Sequence, residues 1–277
     1  IYIDIDTLRA DHLGCGGYHR NTSPNIDNVA SAGINFRNVY ASDVPCLPSR
    51  TALITGMFGI RNGVINHGGR AADLQPEGKD RGFFGRFSMR SWASVFYLAG
   101  WHTASISSFP FRHGASWWNS GFMESMNLMR GFGGERADQV IPGALDWLER
   151  RGKTDDWFLH VHLWDPHTPY RTPEDYGNPF ESDPVPSWHT EDVRMTNWDL
   201  SGPHSAQEPW GFRPDEWGEP PPRQPWNASS MNAVKQIFDG YDVGIRYADD
   251  AVGVLLNKLA DLNAVSYTHL RAHETTE

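Results

Sequence analysis

Short β-rich stretches alternate with helical patterns along most of the chain. Residues 1–5 alternate between apolar and polar side chains, and residues 102–107 follow a segment that ends at Gly100. Residues 157–164 are strongly apolar, with His160 and His162 as polar interruptions. These patterns predict three β-strands, and residues 35–40 predict a further short one.

Capping residues predict the helices between the strands. Ser23 followed by Pro24 begins a helix that Gly33 ends. Further helices are predicted over residues 91–99, over residues 135–150 with a kink at Pro142, and from Tyr241 onward. Alternating strands and helices are typical of a mostly parallel central sheet with helices on both faces, so we expect an α/β fold.

Residues 165–226 break this alternation. The stretch is rich in Pro, Trp, Asp and Glu and has little periodicity, which is typical of a functional loop or a disordered segment. Its aromatic content favours an ordered surface excursion. The tryptophans suit either stacking on sugar rings or burial in a folded flap. We expect one domain over residues 1–264 that contains this excursion.

Composition and charge exclude several classes of protein. The 277 residues are 39% hydrophobic and 21% charged, as in a globular protein. A net charge of −10 argues against a nucleic-acid partner, because phosphate contacts need clustered Lys and Arg. No apolar run is long enough to span a membrane. The two cysteines, Cys15 and Cys46, do not indicate a disulfide framework.

The segment Cys-Leu-Pro-Ser-Arg-Thr-Ala-Leu-Ile-Thr-Gly over residues 46–56 carries the strongest chemical signal. Pro48 suits the first position of a helix and Gly56 its end. Cys46 would then lie just before a helix N-terminus, where unpaired N–H groups and the helix dipole favour an anion. The same field lowers a thiol pKa, so an ordinary reactive cysteine is an alternative. A buried structural cysteine is another, but it does not explain the Pro, Arg and Gly.

This segment resembles the signature of the type I sulfatases of the alkaline phosphatase-like superfamily. In that family the cysteine of Cys-x-Pro-x-Arg is oxidised to formylglycine by a formylglycine-generating enzyme. The resemblance implies an alkaline phosphatase-like fold and a catalytic role for Cys46 and Arg50. It also implies a mechanism in which one hydroxyl of the hydrated aldehyde, activated by Arg50, attacks sulfur and expels the alcohol. The other hydroxyl then collapses to the aldehyde and releases sulfate.

Asp6 is the candidate metal ligand. It follows the first strand, at the edge where ligands of open α/β sheets collect, and a hard cation such as Ca²⁺ prefers carboxylate oxygens. Residues 6–13 resemble the sulfatase opening Asp-x-Leu-Arg-x-Asp-x-Leu, which implies a divalent metal held by Asp6 and residue 46. Many relatives have a second aspartate where Thr7 stands, and Asp4 ranks well below Asp6. A turn or helix cap is the alternative role for Asp6.

Two loops supply the remaining candidates. The segment Trp-Asp-Pro-His-Thr-Pro-Tyr over residues 164–170 resembles a sulfatase segment whose histidine contacts sulfate, which maps to His167. Many sulfatases carry Lys-Trp-His where this chain has Ser108 and Pro110. We predict that Arg112 binds substrate and that His113 acts as acid or base from a shifted loop. Ordinary surface turns are the alternative for both loops, and His67 is a weaker candidate.

Both ends of the sequence lead to further expectations. The chain begins inside a strand without Met, so any signal peptide would lie outside this sequence. We expect a periplasmic or secreted location. Residues 265–277 lack an apolar strand and resemble translated adaptor sequence, so we expect a non-native tail on a fragment. The C-terminal part of the fold would then be missing, with two metal ligands and an active-site lysine of the family.

Three functions follow, in order of preference. The first is a sulfuric ester hydrolase acting on a sulfated carbohydrate or a small organic sulfate. The second is a phosphodiester or phosphonate monoester hydrolase of the same superfamily, which Thr7 keeps in consideration. The third is an inactive sulfatase-like binding protein.

Overall fold

A computed structural model describes residues 1–75, 91–128, 134–202, 205–209 and 222–264. Its strands are β1 (Tyr2–Ile5), β2 (His102–Ile106), β3 (Glu124–Met126) and β4 (Trp157–Leu163). Its helices are α1 (Pro24–Ala32), α2 (Cys46–Thr55), α3 (Gly59–Asn62), α4 (Trp92–Leu98), α5 (Phe109–Arg112), α6 (Ala137–Arg151), α7 (Glu191–Trp198) and α8 (Met231–Asp261). The suspected tail at residues 265–277 lies outside the described residues.

The four strands form one parallel sheet in the order β1-β4-β2-β3. In the register of β1 with β4, Asp4 lies opposite His162 and Ile5 opposite Leu163. The Asp6 N–H donates to the Leu163 carbonyl at 2.9 Å, so the carboxyl ends of these two strands meet. The expected parallel α/β sheet is confirmed.

One face of the sheet is apolar. Ile106, Leu159, Val161 and Leu163 are buried there in a cluster with side chains of α1, α6 and α8. Side chains alternate between the two faces of a strand. Burying a large aliphatic side chain contributes about 1.5–3 kcal/mol, so this face provides much of the stability of the fold.

The opposite face is buried and polar, and α2 and α4 lie on this side of the sheet. Asp4, Ser105, His160 and His162 are all buried, and Ser105 Oγ lies 2.9 Å from His160 Nδ1. The two histidines that interrupt the apolar pattern of β4 therefore both point to this face. Helices cover both faces of the sheet, as expected.

A buried charge network ties the N-terminal loop to α8. The carboxylate of Asp242 lies 2.7 Å from His12 Nδ1 and accepts hydrogen bonds from Tyr18 and Arg20 at 2.8 and 2.7 Å. Asp249, two helical turns further along α8, accepts the Ile26 N–H at 2.8 Å. A carboxylate of α8 therefore satisfies an open donor at the start of α1.

Three sequence expectations differ from the structure. Residues 35–40 do not form a strand, and only an isolated bridge occurs, at Asn35. Ile34 and Phe36 are exposed there, so the segment gains little from pairing. The excursion over residues 165–226 is more regular than expected, because it contains α7 and a 3₁₀ turn at Glu174–Tyr176. The helix predicted from Tyr241 begins ten residues earlier, at Met231.

Among the described residues, no helix has both the length and the apolar character needed to cross a bilayer.

Candidate active site

The helix that carries Cys46 is buried over nine of its ten residues. It begins at Cys46 itself, with Pro45 as the N-cap, so Pro48 is its third residue and not its first. Gly56 ends the helix at φ 64°, a left-handed conformation that glycine adopts at little cost.

The start of α2 does not present the row of unpaired donors that the sequence predicted. The Leu47 N–H donates to Nε2 of His67 at 3.2 Å, and the Ser49 N–H donates to the Pro45 carbonyl at 3.0 Å. Pro48 has no N–H. An anion at this end is therefore favoured by the helix dipole and by neighbouring side chains more than by free backbone N–H groups.

Cys46 and Asp6 are in contact. Their side chains are buried, at 1% and 0% exposure, and the thiol donates to Asp6 Oδ1 at 3.5 Å. Asp6 Oδ2 has no hydrogen-bond partner among the described residues, although His162 Nε2 lies 3.4 Å away. Burial alone would raise the pKa of Asp6, but the charge of Arg50 outweighs it together with the two nearby histidines. The pKa is held below its usual range, and Asp6 is ionised.

Thr7 holds the turn that follows Asp6 in a strained conformation. Its φ of 53° is unusual for a β-branched residue. Tyr241 of α8 donates its hydroxyl to the Thr7 carbonyl at 2.6 Å, and the Arg9 N–H donates to the same hydroxyl at 3.0 Å. The long helix thereby fixes the loop from which Asp6 projects.

Arg50 lies between the two aspartates of β1. Its Nε and Nη2 donate to the two oxygens of Asp4 at 2.7 and 2.9 Å, which is the fork geometry of a strong pair. Its Nη1 lies 3.6 Å from Asp6 Oδ2 and has no hydrogen-bond partner among the described residues. Burial would raise the pKa of Asp4, but Arg50 holds it well below its usual range. Asp4 therefore orients Arg50 and does not point its oxygens at a metal.

Asp6, Cys46 and His167 form a possible metal-binding set, since their ligand atoms lie within 4.8 Å of one another. His167 Nδ1 lies 2.5 Å from the Thr168 carbonyl, which can only accept, so Nδ1 carries the proton and Nε2 is the donor atom for a cation. Calcium takes roughly six to eight oxygen ligands, and this set provides one carboxylate. The described residues therefore fit a divalent cation in part and do not select calcium.

Arg112 and His113 lie beside this set, at the end of α5. The His113 ring is 4.7 Å from that of His67 and 4.4 Å from that of Phe109. Burial, with smaller effects from His67 and Arg112, lowers the pKa of His113 to about 3, so the ring is neutral at pH 7. Arg112 is exposed and places its guanidinium 4.9 Å from the centroid of the Trp164 ring.

Trp164 connects these residues. Its ring contacts those of His167 at 5.8 Å and His162 at 4.6 Å, and its Nε1 donates to Ser108 Oγ at 2.8 Å. Ser108 in turn donates to Glu135. Ser108, which stands where many sulfatases have a lysine, thus holds the Trp164 ring in place. All six predicted site residues (Asp6, Cys46, Arg50, Arg112, His113 and His167) therefore lie in one region of the molecule.

The sequence pattern marked His67 only as a weaker candidate for the site and did not indicate Arg171. His67 lies at the start of α2, where it accepts the Leu47 N–H, and its only local signal is the Asn-His-Gly-Gly turn. Arg171 is half-buried four residues after His167. Its neighbours are distant in sequence, so nothing local distinguished it.

Comparisons with known proteins match the chain over most of its length. The Sulfatase family model matches residues 1–265. Human iduronate 2-sulfatase is 25% identical over 302 residues, covering 97% of this chain and 52% of that protein. Human arylsulfatase A is 39% identical over 64 residues, covering 23% of this chain and 13% of that protein. The chain thus spans about half the length of human iduronate 2-sulfatase.

Solved structures match over 95% of the chain. A phosphonate monoester hydrolase of Agrobacterium radiobacter superposes with a TM-score of 0.67 at 16% identity, over 59% of its own length. A protein solved with its substrate D-glucosamine-2-N,6-O-disulfate superposes with a TM-score of 0.64 at 17% identity, over 62% of its length. At such identity the likeness concerns the fold alone, and it confirms the alkaline phosphatase-like architecture.

Proposed function

The chain belongs to the sulfatase family, and from this premise we propose that it hydrolyses sulfuric esters. The substrate would be a sulfated carbohydrate or a small organic sulfate. One observation carries the proposal above all. The cysteine of Cys-x-Pro-x-Arg begins a buried helix, 3.5 Å from an ionised aspartate at the carboxyl edge of the sheet. Arg50 of the same motif faces that aspartate.

Cys46 is proposed to be converted to formylglycine by a formylglycine-generating enzyme. When present, this group supplies a hydrated aldehyde whose hydroxyl is the nucleophile. The side chain is only 1% exposed in the fold. The maturation enzyme must therefore read the motif before the chain closes over it.

The residues around position 46 have distinct proposed roles. Arg50, fixed by Asp4, places a permanent positive charge beside the nucleophile and the sulfate oxygens. His113 is neutral at pH 7 and can accept a proton, but a pKa of about 3 makes it a weak base. Its proposed role as a base therefore requires the negative charge of a bound sulfate ester to raise that pKa. His167 would donate to a sulfate oxygen from Nε2 only when both ring nitrogens are protonated and no cation is bound to Nε2. Arg112 would bind substrate from the rim. Asp6 and the oxidised residue 46 would hold a divalent cation, which supplies charge neutralisation in the transition state.

Turnover of model esters tests the proposal. The full chain, co-produced with a formylglycine-generating enzyme, should show formylglycine at residue 46 by peptide mass spectrometry. Its kcat/KM for an aryl sulfate should exceed that for an aryl phosphodiester. Cys46→Ala should remove this turnover, whereas Cys15→Ala, at the other cysteine, should retain it. A dominant phosphodiesterase rate would contradict the choice of sulfate esters.

Hydrolysis of phosphodiesters or phosphonate monoesters is the second candidate function. It is favoured by Thr7, which stands where many sulfatases carry a second aspartate, and by the structural likeness to a phosphonate monoester hydrolase. The same comparison of esters separates the two. An inactive binding protein would instead show unmodified Cys46 and no bound metal.

A further inference from the structure

Arg171 is held in place by its neighbours on both sides. Tyr170 is buried with its ring 6.0 Å from that of Tyr241, and Thr172 is buried with its carbonyl accepting from Arg223 Nε at 2.7 Å. The backbone of Arg171 is therefore fixed. Its side chain is half-buried, so part of the guanidinium remains within reach of a ligand.

The guanidinium of Arg171 packs against a glycine. A Cβ at Gly134 would lie 2.9 Å from Arg171 Cζ and 3.0 Å from both Nε and Nη2. Any side chain at position 134 would thus displace the group. Among the described residues, Arg171 makes no hydrogen bond. A guanidinium carries five N–H donors, and partly burying them without partners costs free energy.

A second arginine stands near it. Gly134, against which Arg171 packs, directly precedes Glu135, and Glu135 accepts from Ser108. Ser108 in turn accepts from Nε1 of Trp164, the ring over which Arg112 lies. In keeping with two neighbouring cations, burial and the positive charge of Arg112 lower the pKa of Arg171. The nearby carboxyl groups are already engaged. Asp165 Oδ2 accepts the Ala137 N–H at 2.8 Å, and Glu135 accepts from Ser108.

The two arginines lie beside the candidate sulfate site and not within it. Arg112 lies over the Trp164 ring at 4.9 Å, and His167 contacts the same ring at 5.8 Å. Arg171 belongs to the same loop as His167. An anion between the arginines would sit next to the ester that the site cleaves.

We propose that Arg112 and Arg171 form a second anion-binding subsite, which takes a further sulfate or carboxylate group of the same substrate. The substrate is then a polyanionic saccharide and not a monosulfate. An oxyanion satisfies the open donors of Arg171 and separates two charges that otherwise repel each other. This inference rests on the proposed sulfate-ester hydrolysis, because it names the substrate of that site.

Kinetics on three substrates test the subsite. One is an aryl sulfate without a second charge, one a disulfated monosaccharide, and one a monosulfated sugar with a carboxylate. Arg171→Gln should lower kcat/KM about tenfold or more on the substrate with the matching second anion and change it less than about twofold on the aryl sulfate. Arg171→Lys should recover part of the loss. Whichever doubly charged substrate loses more identifies the second group as sulfate or carboxylate.

Arg150→Gln is the matched control, since Arg150 is an exposed arginine of α6 that pairs with Asp146 and Glu124. It should leave all three substrates unchanged. Gly134→Ala keeps both arginines in the sequence but displaces the guanidinium, and it should reproduce the selective loss. Equal losses on all substrates, or none, would overturn the subsite.

A binding measurement on an inactive variant tests the subsite separately from the proposed hydrolysis. In the full chain with Cys46→Ala, calorimetric titration should show a disulfated monosaccharide binding about tenfold or more tighter than a monosulfated one. Adding Arg171→Gln should abolish that difference. If the difference is present but the unaltered protein turns over no sulfate ester, the subsite stands and the proposed hydrolysis fails. If sulfate esters are hydrolysed but the difference is absent, the subsite fails alone.

Discussion

Arg50 joins the helix that carries Cys46 to both aspartates of β1. It is 3% exposed, forms a fork with Asp4 and faces Asp6 at 3.6 Å. Burial disfavours its charge, yet the two carboxylates hold the pKa of Arg50 well above its usual range. Removing this cation would leave two buried carboxylates without compensation.

Arg50→Gln should therefore destabilise the fold by about 3–5 kcal/mol, the cost of breaking a buried ion pair from one side. Urea unfolding measures this change directly. Arg150→Gln, at an exposed and solvent-screened pair, should change the stability far less. Equal stabilities of the two variants would show that Arg50 is not a structural partner of Asp4.

The burial of His113 makes the stability of the folded chain depend on pH in the acid range. Its pKa is lowered to about 3 in the folded chain, against about 6.5 when unfolded. Between these values the unfolded chain binds the proton and the folded chain does not, so stability falls as the pH drops through this window. A cation at Asp6 would repel the proton further and act in the same direction.

His113→Gln should flatten this part of the stability profile, because glutamine does not titrate. Urea midpoints measured from pH 7 to pH 3 test the prediction. His19→Gln, at an exposed ring, is the control and should keep the slope of the unaltered protein. An unchanged slope in His113→Gln would place the acid sensitivity elsewhere.

At the scale of elements, α8 positions the loop that carries His167. A Cβ at Gly244 would lie 2.8 Å from Pro166 Cβ and 3.0 Å from Pro166 Cα. One turn earlier, a Cβ at Gly240 would lie 2.6 Å from Tyr170 Cδ2. The two glycines let the loop approach the helix on both sides of His167.

Gly244→Ala should push this loop away from α8 and displace His167. Overpacking of this kind costs about 1–3 kcal/mol, partly offset by a gain of about 1 kcal/mol in helix propensity. We expect a raised KM for sulfate esters and a small loss of stability, measured by kinetics and urea unfolding. Gly253→Ala is the control for overpacking alone, since its Cβ would lie 2.8 Å from the amide atoms of Asn25 and away from the loop of His167. Equal changes in KM for the two substitutions would show that α8 does not position the loop of His167.

Which elements were predictable depends on how local their signals are. Strand β4 and helices α1, α4 and α6 carry their own periodicity and caps, and they lie within a few residues of the predicted bounds. The segment over residues 35–40 has strand-like composition but finds no partner strand, which a sequence pattern does not reveal. The start of α2 shows the same limit, because His67 binds Leu47 from twenty residues away.

At the scale of the whole molecule, one face of the sheet forms the apolar core and the other face carries the candidate active-site residues. Its apolar face packs against α6 and α8, while its polar face presents Asp4, Asp6 and His162 to α2. The alternation of β1 and β4 could be read from the sequence, and the motif residues Cys46 and Arg50 marked the chemical side. Arg171 could not be placed in this way, because its environment comes from Gly134 and Arg112, far from it along the chain.

Binding of a divalent cation at Asp6 should raise the stability of the whole fold. A ligand that binds only the folded state stabilises it by RT ln(1 + [L]/Kd), about 2.7 kcal/mol at a hundredfold excess over Kd. The thermal midpoint should therefore rise with added calcium or another divalent metal and fall again with a chelator. Asp6→Asn should abolish this rise, because the buried oxygen that lacks a hydrogen-bond partner loses its charge. Asp11→Asn, at an exposed aspartate paired with Arg9, should preserve it. A metal-dependent rise that persists in Asp6→Asn would place the cation away from Cys46 and leave the proposed hydrolase without its metal at the nucleophile.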